Sequence, residues 1–318
     1  MKNILPITAV INTFNRQDIL VNAYNSVVNQ TSPVQEILII DDGSTDDTEA
    51  LSKNLIDNSQ IKTVYIKNHS KGISSSRNTG IKNASYEHVA LLDDDDVWCN
   101  DHIEKLRNIQ EKHPDAALYG GRTARYVNNT INKDDLPEKL IQSYKIFDIN
   151  SEKKFIRIQQ KLISPFFTPH LSTCMVNKKA ALKSPFDEDL KLRQDISFVW
   201  HIGQLGSIIL DNDVHAIVGQ YTSSLASSHE SSSQSEKKAI NSRRSCYGIL
   251  LAEKAINKRS AKECPDLHNM LFSSYFTHAY NLIQEGKRSE SFKYFTKSLR
   301  GKFSLNHLKL LTHIIIGR

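Results

Sequence analysis

No Gly-x-Gly-x-x-Gly follows the first apolar run of this 318-residue sequence, and no Gly-x-x-x-x-Gly-Lys-Ser/Thr occurs anywhere. Dinucleotide oxidoreductases and P-loop NTPases are thereby excluded, because each needs that backbone cradle for its phosphates. Cysteine is sparse: Cys99, Cys174, Cys246 and Cys264 lie far apart and form no metal-binding pair. They read as ordinary thiols of a reducing cytoplasm. No stretch approaches the roughly 20 apolar residues that span a bilayer. The apolar run over residues 4–11 is interrupted by Pro6 and followed by no small-residue cleavage site, which argues against a signal peptide. There is no internal repeat. Basic residues are dispersed without an aromatic–basic motif, which gives little support for nucleic-acid binding.

The length leaves room for one large α/β domain and a smaller appendage. The net charge of +6 is unevenly placed. From Lys287 onward there are Lys287, Arg288, Lys293, Lys297, Arg300, Lys302, Lys309 and Arg318 against Glu290 alone. The first hundred residues alternate short apolar runs with amphipathic stretches. Strands are expected over 7–11, 36–40, 64–67 and 89–92, and helices over 19–28, 46–56 and 73–83. That alternation predicts a parallel sheet with right-handed crossovers, whose ligands gather at the carboxyl ends of the strands. Beyond residue 115 the pattern is less regular. A strand is expected over 117–127, a loop-rich stretch over 133–154 and a strand over 172–176 with a short helix to Leu182. A turn follows at Pro185-Phe186-Asp187, then a helix over 196–205 opening near Asp195. Residues 223–235 are serine-rich and read as a mobile loop or linker. From Lys237 the chain reads helical, with Leu271, Phe272, Tyr275, Phe276 and Ala279 at helical spacing.

The most informative feature is Asp93-Asp94-Asp95-Asp96, set directly behind the expected strand over 89–92. Successive carboxylates repel one another, and a divalent cation carrying a phosphorylated ligand relieves that repulsion, since hard oxygen ligands suit Mg²⁺ or Mn²⁺. A solvated acidic loop is the plainer alternative. An EF-hand fails: counted from Asp93, Val97 and Trp98 stand where a ligand and a glycine are required. Two other strand ends are also polar, Thr13-Phe14-Asn15-Arg16 and Asp41-Asp42-Gly43-Ser44. All three can converge on one crevice, although the segment over 42–46 serves equally well as a turn and helix cap. A nucleoside-diphosphate ligand would find a hydrogen-bond acceptor for a uracil imide in Asp42 and a stacking face in Phe14. It would find a phosphate-binding or acid-positioning cation in Arg77, between Gly72 and Gly80. Phe14 as a core ring and Arg77 as a helix-surface residue are the alternatives.

With these residues in view, the chain resembles a family-two glycosyltransferase of the GT-A fold, the group that builds bacterial polysaccharides. The segments over 10–16, 39–46, 72–80 and 92–96 resemble four family motifs in order. Ser76-Arg77-Asn78 stands where Ala-Arg-Asn is usual, and Asn12 where proline is frequent. The resemblance is strong over residues 6–110 and weaker to about 225. It implies a catalytic domain over 1–225, with a nucleotide-binding half (1–110) and an acceptor half (111–225). Residues 226–318 would be a serine-rich loop and a basic helical region. By the resemblance, Thr13, Phe14, Asp42 and Arg77 would hold the uridine part, with Arg16 also counted among the donor-binding residues. Asp94 would contact the ribose or sugar, and Asp95, with Asp93 nearby, would hold Mn²⁺ or Mg²⁺, Mn²⁺ being favoured.

Asp195 matches the family's catalytic base, although Gln194 replaces the glutamate usually paired with it. The implied reaction is inverting transfer of a hexose, glucose or galactose, from a UDP-sugar. The acceptor would be a GlcNAc- or GalNAc-diphosphate lipid, extended by a β-linkage in O-antigen or capsule assembly at the cytoplasmic face of the membrane. Phe303, Leu305, Leu308, Leu310, Leu311, Ile314 and Ile315 among cations suit an interfacial helix on anionic lipid. The same leucines packed on the catalytic domain are the alternative. Two other readings stay open: a sugar-nucleotide-binding protein without catalysis, and a sugar nucleotidyltransferase, which would be expected to carry a glycine- and lysine-rich loop absent here.

Overall fold

The computed structural model describes residues 4–127, 130–133, 155–158, 168–218, 233–257, 265–301 and 303–316. Contacts divide the chain into two units, Met1–Ser227 and Ser228–Arg318. Of the expected loop-rich stretch over 133–154, only Lys133 is described, at the end of a strand, and the serine-rich residues 223–232 lie outside the described residues.

In the first unit the chain opens as strand–helix repeats: β1 (Ile7–Thr13), α1 (Gln17–Val28), β2 (Glu36–Asp41), α2 (Thr48–Asp57), β3 (Lys62–Lys67), α3 (Ile73–Asn83) and β4 (His88–Asp93). Each expected element is present within one or two residues of its bounds. β1 and β2 are buried along their whole length, as parallel strands covered on both faces must be. There follow β5 (Val97–Trp98), α4 (His102–Lys112), β6 (Leu118–Val127), β7 (Thr130–Lys133), β8 (Phe155–Ile158), β9 (Met175–Asn177), α5 (Lys178–Lys183), α6 (Gln194–Leu205) and β10 (Ile208–Val218).

Among the described residues all ten strands join one sheet in the order β3-β2-β1-β4-β9-β6-β10-β5, with β7 on β6 and β8 on β10. β3, β2, β1 and β4 run parallel, as do β6 and β10. β9 lies antiparallel between β4 and β6 and joins these two parallel sets. The sheet is therefore mixed and mostly parallel.

Three features depart from the sequence reading. The expected strand over 172–176 is a 3₁₀ turn, Leu171–Thr173, followed by β9. α4 fills a stretch to which no element was assigned, burying Ile103, Leu106 and Ile109 at helical spacing. β10 also went unassigned, because Asp211-Asn212-Asp213 breaks its apolar pattern. The ladder to β6 shifts register there, and the Asp213 N–H folds back onto Asp211 Oδ1 at 2.9 Å.

The second unit is helical: α7 (Gln234–Asn257), α8 (Pro265–Gln284), α9 (Arg288–Ser298) and α10 (Leu305–Ile316). α7 begins at Gln234, so the helix takes in Ser235, the last residue of the expected linker. Leu310 and Ile314 of α10 pack with Ala279 of α8 and Phe295 of α9. Leu305, Leu308 and Ile315 stay exposed on the same helix, beside Phe303. Among the described residues no helix is long and apolar enough to cross a membrane.

Candidate active site

The carboxyl ends of β1 and β2 are sewn together by short polar side chains. Asn15 adopts a left-handed conformation (φ 50°), which asparagine tolerates better than most residues. Its N–H donates to Ser44 Oγ (2.8 Å), and its Oδ1 accepts from the Thr45 N–H (2.7 Å). Asp41 builds the turn beyond β2, accepting from the N–H groups of Gly43 (3.1 Å) and Ser44 (2.8 Å) and from the Tyr65 hydroxyl (2.6 Å). Asp41 is thus consumed by structure. Asp42 reaches across to α3, where its two oxygens accept the Gly72 N–H at 2.8 and 3.0 Å and one also accepts Asn68 Nδ2 at 2.9 Å. Gly72 has φ +117°, a conformation that side chains avoid, so the start of α3 depends on glycine there.

The four aspartates form a tight turn at the end of β4, closed by the Asp96 N–H on the Asp93 carbonyl at 3.1 Å. Their side chains alternate in exposure, 26% for Asp93, 5% for Asp94, 18% for Asp95 and 4% for Asp96. Asp94 turns inward, accepting Arg16 Nη1 at 2.7 Å and the Phe14 N–H at 3.4 Å. Arg16 also lies 3.1 Å from Asp95. Asp96 turns to the other side, where Ser172 Oγ donates to it and His170 Nδ1 lies 3.5 Å away. Burial pushes the Asp94 and Asp96 carboxyls up to about 6 against the pull of Arg16 and His170 respectively. Asp93 differs. Burial would raise its pKa, but the Arg77 charge and hydrogen bonds outweigh that and hold it low.

α3 delivers Arg77. Gly80, one turn on, lies so close to β1 that an added Cβ would fall 2.4 Å from Val10 Cγ1. This close approach brings the Arg77 guanidinium onto Asp93, with Nη2 at 2.8 Å from both oxygens. The guanidinium also stands over the Phe186 ring, 5.4 Å from its centre, and Phe186 stacks on Phe198 of α6 at 3.7 Å. Asp195 lies in the first turn of the same helix, three residues before Phe198. Asn78 clamps this arrangement: its Oδ1 accepts the Phe186 N–H (2.8 Å), and its Nδ2 donates to the Phe186 carbonyl (3.0 Å) and Glu188 (2.9 Å).

Thr13, Phe14, Arg16, Arg77, Asp93, Asp94 and Asp95 thus meet at the ends of β1 and β4, with Asp42 at the end of β2. Asp195 lies in the first turn of α6, the helix whose Phe198 ends the ring stack. Phe14 is 52% exposed, so it is a surface ring at the mouth and the core alternative does not hold. Arg77 is buried and ion-paired, so the helix-surface alternative fails too. The sequence reading missed His170, Ser172, Asn68 and Asn78. Only the antiparallel placement of β9 brings the residues before it beside the acidic turn.

Four buried polar atoms without a partner among the described residues fall in this one region: Asn12 Nδ2, Ser74 Oγ and Arg77 Nε and Nη1. Such a concentration calls for a ligand or water to complete it. The donor set also fits a hard divalent cation, since Asp93 and Asp95 are its two outward carboxylates. Among the described residues no group of three or more ligating side chains surrounds them. Water and phosphate oxygens would therefore complete the shell, as is usual for Mg²⁺ bound with a nucleotide.

An open, mostly parallel sheet with acidic and basic side chains gathered at its strand ends defines a nucleotide-sugar transferase fold of the GT-A type. Residues 8–183 match the glycosyl transferase family 2 model, and the chain belongs to that family, of the bacterial polysaccharide type. It is similar to the GalNAc(5)-diNAcBac-PP-undecaprenol β-1,3-glucosyltransferase of Campylobacter jejuni, 40% identical over 174 residues, 54% of each chain. It is also similar to WfgD of Escherichia coli, a UDP-Glc:α-D-GlcNAc-diphosphoundecaprenol β-1,3-glucosyltransferase, 26% identical over 51% of this chain and 64% of that one. Both matches cover less than two thirds of the relative's length. Among solved structures, Staphylococcus aureus TarS (residues 1–349) with UDP-GlcNAc superposes with a TM-score of 0.65, at 16% identity over 92% of this chain and 79% of that one. The Pyrobaculum calidifontis mannosyltransferase PcManGT with GDP-Man and Mn²⁺ gives 0.60 at 15% identity over 96% and 78%.

Proposed function

We propose that this chain is a metal-dependent inverting hexosyltransferase that moves glucose or galactose from a UDP-sugar to a hydroxyl of a GlcNAc- or GalNAc-diphosphate lipid. The observation that carries the reading is the convergence of three polar strand ends on one turn whose carboxylates alternate between inward positions (Asp94, Asp96) and outward ones (Asp93, Asp95), with Arg16 and Arg77 paired to three of the four. The lipid-linked acceptors named for the C. jejuni and E. coli relatives support the acceptor class. The sugar nucleotide bound by TarS supports the donor class.

In this reading residues 1–110 bind the donor, 111–225 serve the acceptor, and 226–318 form the appended helical region. Phe14 stacks on the uracil. Asp42 accepts the imide N–H with lone pairs that Gly72 and Asn68 leave free, and the Thr13 hydroxyl, on Asp94, lies beside the base. Arg77 keeps Asp93 ionised, and Arg16 holds Asp94 facing the ribose or sugar. Asp95, with Asp93, would hold Mn²⁺ or Mg²⁺, as the Mn²⁺ complex of PcManGT suggests. When bound, the ion neutralises charge on the departing diphosphate. Asp195 takes the proton of the acceptor hydroxyl as that oxygen attacks the anomeric carbon opposite UDP, so an α-linked donor yields a β-linked product.

The exposed Phe303, Leu305, Leu308 and Ile315, flanked by Arg300 and Lys309, are assigned to an anionic membrane surface at the cytoplasmic face. Each well-placed cation there adds about 1 kcal/mol. Leu308→Glu with Ile315→Glu should abolish sedimentation with anionic vesicles, and unchanged sedimentation would refute that assignment.

The main test is UDP release from UDP-Glc, UDP-Gal, UDP-GlcNAc and UDP-GalNAc with Mn²⁺, with a GlcNAc-diphosphate lipid analogue present and with or without EDTA. Release from one donor, lost in EDTA, is the expected result. Binding of a donor without turnover under all conditions would favour a sugar-nucleotide-binding protein.

A further inference from the structure

We infer that His170 is a sugar-contacting residue of this site, presenting its Nε2 to a hydroxyl of the hexose carried by the nucleotide diphosphate. The inference rests on the donor reading above and extends it to a residue that none of the sequence motifs contains.

The backbone at His170 is fixed. Its carbonyl accepts the Thr173 N–H (2.9 Å), the Thr173 hydroxyl (2.8 Å) and the Cys174 thiol (3.3 Å). Two residues on, Ser172 fastens this turn to the acidic one: its Oγ donates to Asp96 and accepts the Asp93 N–H at 3.2 Å. Its carbonyl accepts Trp98 Nε1 at 2.6 Å. The His170 ring brings Nδ1 to 3.5 Å from the buried Asp96 carboxylate, while its side chain remains 42% exposed. Nε2 lies across the ring from Nδ1, so it faces away from Asp96 toward the open side. A carboxylate beside one imidazole nitrogen orients the ring and keeps the proton on that nitrogen, which leaves the lone pair of the other to meet a ligand. Asp96, the least exposed of the four acids, is thereby given to positioning His170.

The position along the sheet points to the ligand. Strand order is β2, β1, β4, β9, and neighbouring strands are about 4.8 Å apart. A nucleotide sugar is itself linear in the order base, ribose, diphosphate, hexose. With the base at the ends of β2 and β1 and the diphosphate at the turn after β4, the next strand spacing brings the hexose to the residues that precede β9. Among the described residues there, His170 combines exposure with a ring nitrogen turned from Asp96. A hydroxyl-bearing ligand suits that nitrogen, since a hydroxyl can donate a hydrogen bond to it.

The test is calorimetric titration of the full chain with UDP and with UDP-glucose, UDP-galactose, UDP-GlcNAc and UDP-GalNAc in Mn²⁺, using the sugar nucleotide that the wild type binds most tightly. Asparagine reproduces the Nδ1 position of histidine and glutamine the Nε2 position. His170→Ala and His170→Asn should weaken the sugar nucleotide by about five- to tenfold, the worth of one hydrogen bond. Both should leave UDP affinity within about twofold, and His170→Gln should stay near wild type. Equal loss toward UDP, unchanged sugar-nucleotide affinity in His170→Ala, or rescue by asparagine instead of glutamine would each overturn the inference. A wild-type chain that binds none of the four sugar nucleotides would overturn the donor reading itself, a separate failure visible before any variant is made.

Discussion

Asn78→Ala isolates the coupling between the donor crevice and the helix that carries Asp195. Asn78 makes three hydrogen bonds across to Phe186 and Glu188, two of them to the Phe186 backbone. At about 1 kcal/mol for each backbone bond, and less for the exposed one to Glu188, the substitution loosens this segment by about 2–3 kcal/mol. The Phe186 ring is the middle layer of the Arg77–Phe186–Phe198 stack, so its displacement shifts α6 against the acidic turn. A misplacement of about 1 Å at a reacting centre can cost about 10²-fold in rate. The variant should therefore lose about 10- to 100-fold in kcat for hexose transfer. UDP affinity should stay within about twofold, because the Arg77–Asp93 pair and the β1–β2 stitching are untouched. Asn78→Asp keeps the acceptor for the Phe186 N–H but sets a negative charge against the Phe186 carbonyl and Glu188, and should be no better than alanine. Steady-state kinetics with matched UDP titrations decide the matter. A wild-type kcat in Asn78→Ala would refute the idea that this clamp positions the base helix, and a matching loss of UDP affinity would place its effect in the nucleotide pocket.

Three further expectations concern other parts of the molecule. Gly80→Ala places a methyl group 2.4 Å from Val10 Cγ1, so it should lower thermal stability by about 1–3 kcal/mol and weaken UDP binding through Arg77; an unchanged melting temperature would contradict the packing described. Asp95→Ala should abolish Mn²⁺-dependent stimulation of transfer while preserving the melting temperature without metal, whereas persistent stimulation would move the metal assignment elsewhere. Glu36, at the opposite end of the sheet, accepts from Lys62 (2.6 Å), Thr8 (2.8 Å) and the Ser85 N–H (2.7 Å) and hydroxyl (2.6 Å). Burial alone would raise its pKa, but these bonds pull it down to about 2 from an ordinary 4.5. A depressed carboxyl stabilises the fold above its unfolded pKa and loses that contribution as pH falls through the folded one. Glu36→Gln should thus cost about 3 kcal/mol at pH 7, less the screening of the exposed lysine, with the gap closing between pH 4.5 and 2. A gap independent of pH would refute the ionic account.

The chain up to the acidic turn was legible because its contacts are local. Gly43, Gly72, Asp41 and the four aspartates each act within a few residues of a strand end, and the strands before them are continuous apolar runs. Phe14 and Arg77 resolved between their alternatives only in three dimensions, one by exposure and the other by its pairing with Asp93. The rest of the first unit was less legible for two physical reasons. β10 carries Asp211-Asn212-Asp213 in mid-strand, which no apolar periodicity accommodates without a bulge. β9 is three residues long, and its antiparallel insertion beside β4 is a long-range event that brings His170 and Ser172 to Asp96 from 74 and 76 residues away. Asn78 was read only as part of a motif, since its partners lie more than a hundred residues downstream.

The sheet's ladder order has a consequence for how such a chain can diversify. β7 and β8 sit outside the main run of strands, one beside β6 and the other beside β10, and the chain between them joins two peripheral attachments. Neither attachment touches the ladder of β3, β2, β1 and β4. Substitutions along β7 or β8 can therefore accumulate while the strand ends that gather Asp42, Arg16 and the four aspartates keep their register.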